Sequence, residues 1–151
     1  MHEHFVDAEL PGEPGWRSWD AVDRTRFNAL LGSIAYRVEG EGPARRARVR
    51  MHPERRHSNL RESVHGGAIL AFIDVALFAG ARAFGLLEAG TAVTLGLDTQ
   101  FIGGGTIGEP LDAEVELLRE TGRLLFLRGL VEQGETKVAA FSGTVRKPTL
   151  R

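Results

Sequence analysis

The sequence contains no cysteine. That excludes disulfide bonds, thiolate zinc sites and cysteine nucleophiles, and fits a reducing compartment. Neither sign of charge dominates. The 19 lysines and arginines against 20 aspartates and glutamates leave a formal net charge of -1, so the whole molecule has no electrostatic reason to bind nucleic acid or an anionic membrane. The longest apolar stretch, Ala68 to Ala81, is too short to span a bilayer, and Asp74 interrupts it. The opening MHEHFVDAELPGEPGW carries acids where a signal peptide has a basic start and then an apolar run. The expectation is a soluble, cytoplasmic protein with neither membrane nor nucleic acid as partner.

Several reaction signatures are lacking as well. There is no Gly-x-Ser-x-Gly elbow, and Ser63 precedes a loop rather than crowning a strand, which speaks against a serine hydrolase. Gly103–Gly105 has no Lys-Ser/Thr after it, so it is no phosphate loop. His52, His57 and His65 lie close together with Glu54 nearby, but none shows the i, i+4 pairing of a metalloprotease helix. No metal is expected, and His65 is read as a residue with a structural hydrogen bond at a loop–helix junction.

What is present is enough for one domain: 151 residues, 42% of them hydrophobic. Residues 1–32 read as an N-terminal arm followed by a short helix within Trp16–Leu31, and 33–151 as the main domain. Ile34, Tyr36 and Val38 alternate, Glu39–Pro43 is a turn, and Ala47, Val49 and Met51 alternate with Arg46, Arg48 and Arg50. His52–Val64 has no period and reads as a loop. Gly66 to about Phe84 is a long helix, with Gly85 and Gly90 behind it as stop signals. Four strands joined by short turns follow, roughly Ala92–Ile102, Gly108–Arg119, Arg123–Glu132 and Thr136–Lys147, and short turns imply an antiparallel meander. A helix apolar on nearly all sides has to be covered all round. A curved sheet wrapped around it, with another subunit closing what one sheet leaves open, gives an α+β domain and an oligomer.

Two features bear chemistry. His65-Gly66-Gly67 falls where the loop becomes the helix, and a helix start offers unpaired N–H groups and the positive end of the macrodipole. Such a place can hold a carbonyl oxygen that becomes an oxyanion during acyl transfer; equally, paired glycines are a permissive helix entry. Asp74 is the only charged residue between Val64 and Arg82. A carboxylate on an apolar helix costs several kcal/mol, on the order of the desolvation of an ion, unless it is partnered. Its functional reading is a general base or a nucleophile, and its structural one a buried aspartate satisfied by local donors. Gly66 and Asp74 are about 12 Å apart along the helix axis, whereas a reacting carbon needs the oxyanion donor and the attacking group within roughly 3 Å. One chain can hardly supply both. Two helices running antiparallel about a two-fold axis would bring Asp74 of one chain to Gly66 of the other.

The run Asn59-x5-His65-Gly66-Gly67-x6-Asp74 resembles the signature of the hotdog-fold acyl-CoA thioesterases of the phenylacetate-pathway (PaaI-like) group. The likeness extends over about Ser33 to Lys147. It implies a hotdog fold, an antiparallel sheet around a central helix with active sites shared between subunits of a homodimer or homotetramer. It implies hydrolysis of an acyl-CoA, with coenzyme A arriving as part of the substrate and no separate cofactor. By the same resemblance Asp74 is the catalytic carboxylate and the Gly66 N–H polarises the thioester carbonyl. Asn59 bonds the carbonyl or the water, and Thr94 supplies a hydroxyl beside the carboxylate.

The sequence departs from the pattern at Glu62, where the group usually has glycine, and at Ile102-Gly103-Gly104-Gly105, where it usually has a basic-proline step. Glu62 leaves open a non-catalytic acyl-CoA or acyl-carrier binding module. A hydratase or dehydratase on the same fold would need His65 turned inward. His65, Gly67, Gly104 and Arg123 are the expected substrate-binding positions. Gly104 sits in a segment that reads either as a flexible rim over the pantetheine arm or as a loose turn. Arg123 is one of several arginines suited to the phosphates of coenzyme A. The others, Arg45 to Arg61, read also as a solvated strand face balanced by the acidic strand Asp112–Glu116.

Overall fold

The computed structural model describes residues 4–87 and 92–148. In chain order come three short strands, β1 (Phe5–Val6), β2 (Arg17–Ser18) and β3 (Asp20–Ala21), and a 3-10 turn over Phe27–Leu31. Strands β4 (Ala35–Glu39) and β5 (Arg46–Met51), helix α1 (Gly66–Ala83), then β6 (Val93–Phe101), β7 (Leu111–Glu120), β8 (Leu124–Gln133) and β9 (Thr136–Arg146) complete the order. The main sheet has seven antiparallel strands in the order β2-β4-β5-β7-β8-β9-β6. The four strands after the helix match the expected ranges to within a few residues, but only β7, β8 and β9 form the meander: β6 crosses over to pair with β9 at the sheet edge, because the connection after it is not a tight hairpin.

Alternation explains both faces of the sheet. Ala47, Val49 and Met51 of β5 and Leu111, Ala113 and Val115 of β7 are fully buried against α1. The residues between them form an ion lattice on the outer face. Arg48 alone reaches Glu39, Asp112, Glu114 and Glu132, and Arg50 meets Asp112 at 2.6 Å. The basic strand therefore meets the acidic strand beside it. On the helix, Phe72, Ile73, Ala76 and Leu77 are fully buried. Leu77 seats directly on Gly143 of β9, where an added Cβ would lie only 2.6 Å from its Cδ1.

The N-terminal segment differs from expectation. Only Phe27–Leu31 of the anticipated Trp16–Leu31 helix is helical, and Arg17–Ser18 and Asp20–Ala21 are strands. Tertiary packing outweighs the partial helical spacing: Trp19 stacks on Phe5 with centroids 4.1 Å apart and meets Tyr36 edge-on at 6.2 Å. The first described residues are tied down. The Asp7 side chain is 1% exposed and accepts from Arg17 at 2.7 Å, Tyr36 at 2.8 Å and Arg82 at 3.1 Å. Arg82 lies in the last turn of α1, so this cluster joins the N-terminal segment to the helix end.

The sheet covers most of α1 but leaves one flank. Leu70 is 39% exposed, Gly67 is exposed and Asp74 half-buried. Beside that flank runs the edge strand β6, whose Leu95 and Phe101 are 54% and 55% exposed.

Candidate active site

The loop before α1 is a small hairpin closed by pairing of Ser58 with Val64. Asn59 organises it. Its N–H donates to the Ser63 carbonyl at 2.8 Å, and its side-chain Oδ1 accepts from the N–H groups of Arg61 and Ser63. With the oxygen so engaged, the Asn59 amide NH₂ is the end of the side chain free to donate. Glu62 takes φ = 61°, the left-handed conformation that glycine adopts without penalty. Glu62 therefore stands in a backbone conformation that glycine would adopt more readily.

The helix start is equally defined. His65 is the N-cap with extended backbone angles (φ -62°, ψ 138°), and its Nδ1 accepts from the Gly67 N–H at 2.8 Å. The Ile69 N–H donates to the His65 carbonyl at 3.0 Å. Of the four N–H groups that open a helix, those of Gly66 and Ala68 have no acceptor among the described residues. The expected structural bond of His65 is therefore a cap. Its Nδ1 acceptance puts the proton of a neutral imidazole on Nε2, and the residue is exposed. His57 is buried, with Nδ1 accepting from Glu54 N–H at 2.9 Å and Nε2 facing the Leu30 carbonyl at 2.6 Å. Both its nitrogens serve the fold.

Eight residues further along the helix, Asp74 faces β6. The Thr94 hydroxyl donates to its Oδ1 at 2.6 Å. Two places on β6 therefore correspond to two places on α1. Thr94 meets Asp74 at one end, and the Phe101 ring lies 3.5 Å from where a Gly66 methyl would be at the other. Asn59, His65, Gly66 and Gly67 gather at the helix start, with Gly104 beside Ser63. Asp74 and Thr94 form a second group. Arg123 lies at the same end of the sheet as Thr94, since Leu124 pairs with Arg146 and Arg146 with Val93. Within one chain the two groups stay apart.

Nothing in the sequence signals Phe101 over Gly66 or the packing of the triple glycine. Gly103 lies against the Lys137 carbonyl and the buried Gly105 against Val64, which excludes a loose turn.

A seven-stranded antiparallel sheet curled round one central helix is the hotdog fold. The sequence profile of the thioesterase superfamily matches residues 62–140, and the chain belongs to that superfamily. It is 29% identical over 136 residues (90% of this chain, 94% of the other) to a Pseudomonas aeruginosa protein named as an esterase, PA0474. Its fold is similar to that of a mutant of the phenylacetic acid degradation protein PaaI from Thermus thermophilus, with TM-score 0.63, 24% identity, and 81% and 98% of the two chains covered. A Streptococcus pneumoniae protein described as a hypothetical thioesterase, solved with coenzyme A, superposes with TM-score 0.63 at 17% identity, covering 77% of this chain and 88% of that one.

Proposed function

We propose that this protein hydrolyses an acyl-CoA thioester to the free acid and coenzyme A in the cytoplasm, at two equivalent sites in a homodimer, alone or paired into a tetramer. The observation that carries the reading is the division of one set of groups along one helix. Unpaired amides and a donor-ready Asn59 stand at its start, and a hydroxyl-bonded carboxylate stands about 12 Å further on, beside an exposed edge strand. Antiparallel addition of the partner's β6 to β6, centred near Leu97 and Asp98, exchanges the two ends. The partner subunit's Asp74 then lies at Gly66, and the exposed Leu95 and Phe101 are covered.

In that site the Gly66 N–H binds the thioester carbonyl and holds the oxyanion as it forms. The Asn59 amide donates to the same oxygen or to the attacking water. His65 Nε2–H, Gly67 and Gly104 border the path of the thioester arm, and Arg123 is suited to a phosphate of coenzyme A. The partner's Asp74, oriented by Thr94, takes a proton from water as the oxygen bonds to the carbonyl carbon. Collapse of the tetrahedral species breaks the C–S bond, and the thiolate of coenzyme A leaves and recovers the proton. Direct attack by the carboxylate, with an anhydride opened by water, uses the same geometry. After a single turnover in ¹⁸O-water, label in Asp74 would establish direct attack with the anhydride opened at the aspartyl carbonyl. The relative solved with coenzyme A supports this carrier.

A free-thiol assay over aromatic and medium-chain acyl-CoAs tests the proposal. Wild type releases thiol from at least one of them and Asp74→Asn does not; a wild type silent on the whole panel contradicts it.

A further inference from the structure

We infer that the turn Gly103–Thr106, clamped by Gln133, sets the position of the Gly66 amide, and that Gly105 is a positioning residue for the thioester reaction. The inference rests on the oxyanion reading of Gly66 given above.

The turn is held from below. Ile102 and Gly103 donate their N–H groups to the Val138 carbonyl at 2.9 and 3.2 Å. Gly103 lies so close to the Lys137 carbonyl that an added Cβ would be 2.8 Å from its oxygen. Gln133, a buried glutamine 8% exposed at the end of β8, engages both backbone groups of Thr106. Its Oε1 accepts from the Thr106 N–H at 2.7 Å, and its Nε2 donates to the carbonyls of Thr106 at 2.9 Å and Glu109 at 3.2 Å. A side chain with three such bonds, far from water, fixes the backbone it grips.

The turn in turn holds the helix entry. Val64 donates to the Gly105 carbonyl at 2.9 Å, and Ser63 pairs with Thr106. At Gly105 a Cβ would be 2.9 Å from Val64 Cγ2 and 3.2 Å from its Cβ. Only glycine lets the two backbones come this near. Val64 is buried and two residues from Gly66, and the His65 N–H between them donates to the His57 carbonyl at 2.7 Å. A side chain at Gly105 therefore has one outlet, displacement of Val64 and with it the N-cap and the Gly66 N–H. A misplacement of about 1 Å in such a donor is enough for a rate loss of up to roughly 100-fold.

The test compares Gly105→Ala, Val64→Ala and the double variant, reading kcat and KM separately and following the Gly66 amide resonance in ¹⁵N-labelled dimers. Expected for Gly105→Ala is a kcat lower by about tenfold or more, a KM within about twofold of wild type, and a displaced Gly66 resonance. The double variant, which removes the methyl groups the new Cβ would strike, recovers most of kcat and returns the resonance toward its wild-type position. A folded Gly105→Ala with unchanged kcat and unmoved resonance overturns the inference, as does a double variant no better than the single one in both readouts. Gln133→Glu keeps the acceptor but loses the two donated bonds, so it should show the same signature more weakly if Gly105→Ala does not fold; an unmoved Gly66 resonance there counts against the inference. Should wild type release no thiol from any acyl-CoA, the oxyanion reading fails on its own, and displacement and recovery of the Gly66 resonance still decide whether this turn sets the amide.

Discussion

The Thr94 hydroxyl donates a 2.6 Å hydrogen bond to Oδ1 of Asp74, and it does so from the exposed edge strand of the sheet. The carboxylate of the helix is thus aimed by the very strand a second subunit would extend. This bond leaves Oδ2 to take a proton. Asp74→Asn keeps the size and the bond to Thr94 but removes the base, and we expect a kcat loss of about 10²–10⁴-fold with an unaltered circular dichroism spectrum. Thr94→Val should cost less, because it disorients the carboxylate without removing it.

Gly66→Pro isolates the amide donor. Proline is well tolerated at the first position of a helix, and His65 already has the extended angles that precede proline. The variant should fold with little change in Tm and lose about 10²–10³-fold in kcat, the usual worth of one oxyanion donor. Activity near wild type would remove Gly66 from the mechanism.

Glu62 holds φ = 61° while, among the described residues, its side chain makes only an exposed ion pair with Arg55, the two side chains 67% and 84% accessible. Such a pair contributes little, whereas a non-glycine residue in this conformation costs about 1 kcal/mol or more. Glu62→Gly should therefore raise the unfolding free energy by about 1 kcal/mol in urea titration. A loss of stability would show that the Arg55 contact or the stiffer unfolded chain matters more.

Acid sensitivity should trace to Asp7. Burial pushes its carboxyl upward, but hydrogen bonds from Arg17, Tyr36 and Arg82 outweigh that and hold it below the usual carboxylate range. A group depressed in this way adds stability that is complete above its unfolded value of about 3.9 and is lost as pH falls through the lower folded value. Asp7→Asn removes the buried anion that Arg17 and Arg82 both meet and should cost about 3 kcal/mol at pH 7. Denaturant curves at several pH values should show the gap between wild type and variant narrowing below about pH 4; a gap constant down to pH 2 would exclude Asp7.

Much of this fold was legible because the strands alternate and the turns are short. Arg48 and Asp112 betray their facing strands in charge alone, and the His65-Gly66-Gly67 step marks the helix start by its chemistry. The features that escaped the sequence have determinants distant along the chain. Trp19 looks helical next to Trp16, yet its orientation is set by Phe5 and Tyr36. Asp7 reads as one more acid on a loose arm until Arg82 is brought to it from the helix end. Gly105 reads as slack, and only the nearness of Val64 turns it into a close contact. The residue types of the candidate site, and the spacing of Gly66 and Asp74 that argues for its division between chains, were readable in the sequence; the open flank of α1 is visible only once the sheet is in place.

The central claim, that each site takes its amide from one chain and its carboxylate from the other, is tested most directly by subunit complementation. Asp74→Asn and Gly66→Pro homodimers, each close to inactive, are mixed under conditions that allow exchange, and thiol release is measured against the mixed dimer resolved by distinguishable tags. Sites built across the interface predict that the mixed dimer regains one intact site, with a kcat per dimer near half that of wild type. A mixed dimer as inactive as its parents would place amide and carboxylate of each site in the same chain and contradict the account.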